Sequence, residues 1–226
     1  MQLGTTWGMR TLLDGIRQYD SERSDYAARF AELAEGQSPH SLFLGCSDSR
    51  VVPSVLTSSG PGELFVVRNV GNLAPPLVGD GLSGTPPAVV AAVAYALDVL
   101  GVQDLVVCGH SSCGGMQAVL NGKISDPHIE RWLEAAQPAL HAWRVSGPMD
   151  ASISEVDQLS QWSTRLQLEH LRQYPSVKRH LEEGTLRMHA FWFDIADGRM
   201  LAYDESERRY RPAVDVLGVK PVRSAA

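Results

Sequence analysis

Apolar positions along the chain fall into two alternating kinds of segment. SLFLG (41–45), ELFVVR (63–68) and DLVVCG (104–109) are short, nearly continuous runs of Leu, Val and Phe, which predict buried strands. Between them the spacing lengthens to a helical period. Tyr26, Phe30 and Leu33 share a face and predict a helix over 21–35, capped by Ser21 or Ser24 and stopped at Gly36. Pro53 to Ser58 suits a short helix. Ala88 to Leu100 is alanine-rich and apolar on nearly all sides, which predicts a buried helix. Further helices are predicted from about Cys113 to Leu120, over 127–144 and over 152–183, the last broken at Pro175. Thr185 to Asp194 and Arg199 to Tyr203 read as strands joined by a turn at Asp197-Gly198. Gly and Pro crowd Gly71 to Pro87, which predicts a loop, and signals weaken after Tyr210.

Strands alternating with helices predict an α/β fold: a central, mainly parallel sheet flanked by helices. Residues 1–20 are expected to form an N-terminal helical arm, ahead of a single domain over 21–226. In such sheets ligands bind beyond the carboxyl ends of the strands. CSDSR (46–50) and GHSSCGG (109–115) each follow an apolar strand directly, so the fold can bring them to one crevice.

Composition narrows the function. A net charge of −6 offers no basic excess for nucleic acid or an anionic membrane surface. No apolar run reaches membrane-spanning length, and the first residues lack the apolar core of a signal peptide, so a cytoplasmic protein is expected. Three cysteines in 226 residues do not make a disulfide framework; metal or catalytic use is expected instead.

His110 and Cys113 stand three apart where a strand turns into a helix, close enough to share an ion. Cys46 can supply a third ligand from the other motif. Two thiolates and one imidazole suit Zn²⁺, and three protein ligands leave a fourth tetrahedral position vacant. Asp48 can point into the same crevice as a hydrogen-bond acceptor, and Arg50 can clamp its carboxylate in a bidentate pair.

C-S-D-S-R-V, then P-G-E-L-F-V-V-R-N, then G-H-S-S-C-G-G resembles the β-class carbonic anhydrases over residues 26–204. The resemblance implies one Zn²⁺ per chain on Cys46, His110 and Cys113, with Asp48 and Arg50 as catalytic dyad. It implies attack of zinc-bound hydroxide on CO₂ to give bicarbonate and a proton. It also implies a homodimer or higher homo-oligomer with active sites at subunit boundaries. Gln37, Phe65, Val70, Tyr95 and Gly114 match the substrate pocket of the members whose fourth zinc position is open. The other members carry a regulatory bicarbonate pocket built on a tryptophan, an arginine and a tyrosine. Phe43 and Phe193 replace the aromatic pair here and only Arg68 remains, so an open site is expected.

Plainer readings stand beside these. Cys108 lies within an apolar strand and reads as core. A phosphatase-type loop spaces Cys and Arg more widely than CSDSR does, and GHSSCGG lacks the ending of a phosphate loop. The Asp48–Arg50 pair could be structural alone. His189 reads as a strand residue rather than a proton shuttle. His40, His128, His141, His170 and His180 read as surface or helix-face residues, Trp132, Trp143 and Trp162 as packing, and Lys178 to His180 as a solvated basic cluster. Two alternatives to CO₂ hydration remain: hydrolysis of carbonyl sulfide or carbon disulfide on the same scaffold, or a non-catalytic zinc-containing binding module.

Overall fold

The computed structural model of the protein describes residues 8–79, 85–122 and 124–218. The chain divides into two compact units that meet in sequence between Gln37 and Ser38. In the first, α1 (Met9–Glu22) and α2 (Ser24–Leu33) follow one another almost without a break, because Arg23 keeps helical dihedrals. The expected single helix from residue 21 is therefore the second of two. Ser24 is its first residue and no side chain caps it. Met9, Leu12, Leu13, Ile16 and Tyr19 fall at helical spacing along α1, and all are exposed.

The second unit is built on six strands in the order β2-β1-β3-β4-β5-β6. These are β1 (Ser41–Cys46), β2 (Leu64–Asn69), β3 (Asp104–His110), β4 (Arg187–Asp194), β5 (Arg199–Asp204) and β6 (Arg209–Pro212). The first four in that order run parallel, and β5 and β6 are added antiparallel. Gly198, at φ +65°, makes the expected β4–β5 turn. The chain passes from β1 to β2 on one side, then returns to lay β3 on the other. The winding direction therefore reverses between β1 and β3, the place where an open parallel sheet leaves a crevice at its carboxyl edge.

Alternation along the strands sends Leu42, Leu44, Leu105 and Val107 to one face and Phe43, Val106 and Cys108 to the other. Cys108 is fully buried, as expected of a core thiol. The short helix expected from Pro53 to Ser58 is α3 (Pro53–Leu56), and against the first face pack α4 (Pro87–Ala94), α8 (Glu155–Leu171) and α9 (Pro175–Glu182). Helix α8 crosses β3 so closely that a Cβ on Gly109 would lie 2.0 Å from Thr164 Oγ1. Its buried side is polar: Ser160 Oγ donates to the His110 carbonyl, and the Gln167 Oε1 accepts from the Ala74 N–H. His170, expected as a surface or helix-face residue, lies on the buried face of this helix, with Nδ1 2.9 Å from the Ala74 carbonyl.

The helix expected over 88–100 is α4 followed by a π-helical turn, Tyr95–Val99. It is not buried all round: Val89, Val93, Ala96 and Leu97 face the core, whereas Tyr95 and Val99 are exposed. Asp98 anchors the π turn, accepting from Ser176 Oγ, Arg179 and His180 of α9. Arg179 and His180 are thus fixed rather than simply solvated. The helix expected over 127–144 is α6 (Pro127–Leu133), a short 3-10 turn and α7 (Gln137–Ser146). Asp126 caps α6, accepting from the His128 and Ile129 N–H groups. Among the described residues no helix is long and apolar enough to cross a membrane.

Candidate metal centre

Cys46 is the last residue of β1 and His110 the last of β3, so two neighbouring parallel strands deliver them to the same edge. Cys113 follows one tight turn later, at the N-cap of α5 (Gly114–Asn121). The ligand atoms of the three residues all lie within 4.8 Å of one another, and all three residues are buried. Ser112, at φ +54°, occupies the left-handed region and lets the chain double back from His110 to Cys113.

The donor set is prepared for an ion. The Ser111 carbonyl accepts from His110 Nδ1 at 2.9 Å. A carbonyl only accepts, so the proton is on Nδ1 and Nε2 presents its lone pair. That Nε2 is buried and has no hydrogen-bond partner, a costly state for a polar atom unless a cation takes the lone pair. The Cys113 thiol, hydrogen-bonded to Cys46, pulls the Cys46 pKa well below its ordinary value. The Asp48 and Gly71 N–H groups, 3.5 and 3.4 Å from the Cys46 sulfur, act in the same direction, and burial opposes them. That same hydrogen bond and burial push the Cys113 thiol up. These residues fit a thiophilic ion such as zinc: two sulfurs and one nitrogen, with a protein dipole already favouring thiolate at Cys46.

Asp48 stands beside this cluster, its Oδ2 3.9 Å from His110 Nε2. Arg50 grips both carboxylate oxygens, Nε to Oδ1 at 2.9 Å and Nη2 to Oδ2 at 2.7 Å, and its own N–H adds a third bond. These bonds hold the Asp48 carboxyl well below the ordinary carboxylate range. Arg50 Nη2 also donates to the Ser112 carbonyl and so ties the two loops together.

Three contributions were not visible in the sequence pattern. Arg68 of β2 donates to the carbonyls of Cys46 and Asp48, at 3.0 and 2.7 Å, bracing the loop from behind. The Gly71 N–H reaches the Cys46 sulfur. Trp132 Nε1 donates to the Val70 carbonyl at 2.8 Å and fixes the crevice wall, a role beyond packing.

The expected pocket residues divide. Val70 adjoins Gly71, and Gly115 would bring a Cβ within 3.5 Å of Val70 Cγ1, so Val70 and Gly114 border the centre. A Cβ on Gly114 would meet nothing within 4 Å, which leaves open space beside Cys113. Phe65 pairs with Leu42, whereas Cys46 pairs with Asn69; it lies four residues down the sheet, ~13 Å along the strand. Its ring meets Tyr95 at 6.0 Å between centroids. Gln37 ends the first unit and is exposed.

The sequence profile of the family described as carbonic anhydrase matches residues 41–200, a span that contains all five residues of the centre. The chain belongs to the β-carbonic anhydrase family. It is 40% identical to a carbonic anhydrase of Pseudomonas aeruginosa, over 96% of this chain and 100% of that one. It is 36% identical to carbonic anhydrase 1 of Escherichia coli O157:H7, over 90% and 92%. Among solved structures, the β-carbonic anhydrase CcaA superposes with a TM-score of 0.81 at 30% identity, covering 95% of this chain and 93% of that one. One of two tetrameric β-carbonic anhydrases of Sordaria macrospora gives 0.75 at 28%, covering 85% and 96%.

Proposed function

We propose that this β-carbonic anhydrase hydrates carbon dioxide reversibly to bicarbonate and a proton, with one zinc ion per chain held by Cys46, His110 and Cys113. The observation that carries the reading is that one ligand atom each of Cys46, His110 and Cys113 lie within 4.8 Å of one another while the buried Nε2 of His110 has no partner. When bound, zinc supplies a Lewis-acidic position at which a water becomes nucleophilic near neutral pH. With Cys46 and Cys113 both deprotonated around a dication, the centre would be near neutral and would polarise a bound water less than a three-histidine site. Orientation by the chain therefore carries more of the work.

Asp48 supplies it. Its carboxylate, kept ionised and immobile by Arg50, is a fixed acceptor at the edge of the centre. With both oxygens already gripped, Asp48 is held back from coordination, which supports an open fourth position. Phe43 and Phe193 are buried in one apolar cluster, and Arg68 is engaged with two carbonyls, which supports the absence of a regulatory bicarbonate pocket. Val70, Gly71 and Gly114 offer small uncharged walls, suited to a linear apolar molecule. Phe65 sits too far down β2 to wall the same chain's centre, and Tyr95, in the π turn, packs against it there. In a homo-oligomer with sites at subunit boundaries they wall the centre of a second copy.

Stopped-flow CO₂ hydration on protein of measured metal content tests the reading. We expect turnover that disappears on chelation and returns with zinc. One zinc per chain without hydration overturns it, and sulfide release from carbonyl sulfide would then identify the hydrolytic alternative.

A further inference from the structure

Ser112 is the pivot of the metal loop: a non-glycine residue in the left-handed region, between the histidine and the second cysteine. Its two backbone polar groups are held from opposite sides. The carbonyl accepts from Arg50 Nη2 at 3.1 Å, and the N–H donates to Asp157 Oδ1 at 2.6 Å. Asp157 is 45 residues away, in the first turn of α8, and is itself locked. Its other oxygen, Oδ2, accepts from Ser154 Oγ at 2.8 Å, and its N–H donates to the same Oγ at 3.2 Å. Helix α8 is in turn fixed to β3 by its close passage over Gly109 and by the Ser160–His110 bond. A rigid helix thus presents one carboxylate oxygen to the N–H of a residue that, left alone, disfavours its own conformation.

We propose that Asp157 is a positioning residue of the metal centre: through Ser112 it fixes the turn that sets Cys113 against His110, and it holds the carbonyl on which Arg50 rests. It touches neither the ligands nor the position of the substrate. The inference rests on the zinc reading above for its consequence, but its geometry does not.

Two measurements separate the two. The first, amide hydrogen exchange at Ser112, needs no metal. Asp157→Ala is expected to speed it by at least ~10-fold, whereas Asp157→Asn, which keeps an acceptor oxygen, stays near the wild type. The second is zinc transfer to a chelator. Asp157→Ala is expected to release zinc ~10–100-fold faster, the range seen when an outer-shell partner is removed. Asp157→Asn restores most of the retention. Ser154→Ala removes the helix cap and the lock on Asp157 while leaving the Asp157–Ser112 bond possible; it is expected to lower thermal stability and to speed zinc release clearly less than Asp157→Ala does. The proposal is overturned by unchanged Ser112 exchange in Asp157→Ala, by unchanged zinc release, or by Ser154→Ala releasing zinc as fast as Asp157→Ala does. A wild-type chain that binds no zinc sinks the metal reading instead, and Ser112 exchange still decides whether Asp157 holds the loop.

Discussion

Two aspartate–arginine pairs, each with a histidine beside it, stand at opposite ends of the parallel strands. At the amino-terminal end Asp104 takes two bonds from Arg187, at 2.8 and 2.6 Å, and a third from His189 Nε2 at 3.0 Å. At the carboxyl end Asp48 takes the same bidentate grip from Arg50, but His110 Nε2 stops 3.9 Å short. The carboxylate–guanidinium chemistry is identical. The difference is the imidazole. His189 sits in a closed ion-pair network at a partly exposed edge, whereas His110 is fully buried and turns an unpaired nitrogen toward two sulfurs. An ion pair by itself is a structural feature; the unsatisfied buried nitrogen next to it, with its lone pair free, marks the site.

The largest expected effect removes a ligand. Cys113→Ala takes away one of two sulfurs, so zinc content after dialysis is expected to fall well below one per chain and CO₂ hydration to fall by ~10³-fold or more. Full zinc content would mean that the three-residue centre is wrongly assigned. The carboxylates come next and test the comparison directly. Asp48→Ala is expected to keep zinc yet lose turnover by ~10–100-fold, and Asp104→Ala to keep turnover within about twofold. Equal losses in stopped-flow assays would erase the distinction between the two pairs.

A third effect concerns the helix behind the centre. Gly109→Ala forces a methyl against Thr164 Oγ1, so it is expected to destabilise the fold by ~1–3 kcal/mol, read by urea unfolding. The severest contact is with the Thr164 side chain, and Trp192 and Ser160 follow at 3.1 and 3.3 Å, so Thr164→Ala should recover part of that loss in the double variant. Simple additivity would mean that α8 has moved rather than been resisted.

The parallel strands were legible because their apolar runs are short, continuous and bounded by Gly or polar residues. The five residues of the centre were legible because each motif follows such a strand directly. What escaped has a long-range cause. The π turn at Tyr95–Val99 depends on Asp98 meeting Ser176, Arg179 and His180, some eighty positions on. His170 is buried because Ala74 gives it a partner. Arg68 and Asp157 act on backbone groups of distant loops, and a backbone carbonyl or N–H leaves no trace in side-chain pattern. Helix α1, expected within the N-terminal helical arm, carries a local signal, Met9, Leu12, Leu13, Ile16 and Tyr19 at helical spacing, but its bounds do not. Gly15 interrupts it and Gly8 offers no capping side chain.

The smallest expected effect is the acid dependence of the amino-terminal pair. Arg187 hydrogen bonds and His189 hold the Asp104 carboxyl below its ordinary value of 3.8, against its partial burial. The unfolded chain therefore binds the proton first, and falling pH favours unfolding through that interval. The contribution is complete above about pH 5 and is lost as pH drops through the folded value. Arg187 is largely exposed, so solvent screens the pair and the effect is small. Thermal unfolding of wild type and Asp104→Asn from pH 6 downward isolates it from Asp48, Asp98 and Asp204, whose carboxyls are depressed too. The gap in melting temperature should be widest at pH 6, narrow only as pH falls past 3.8, and close below the depressed folded value. A gap that stays constant with pH would assign the stabilisation to packing of the aspartate rather than to its charge, and the amino-terminal pair would no longer be a fair counterpart to the one that faces the metal centre.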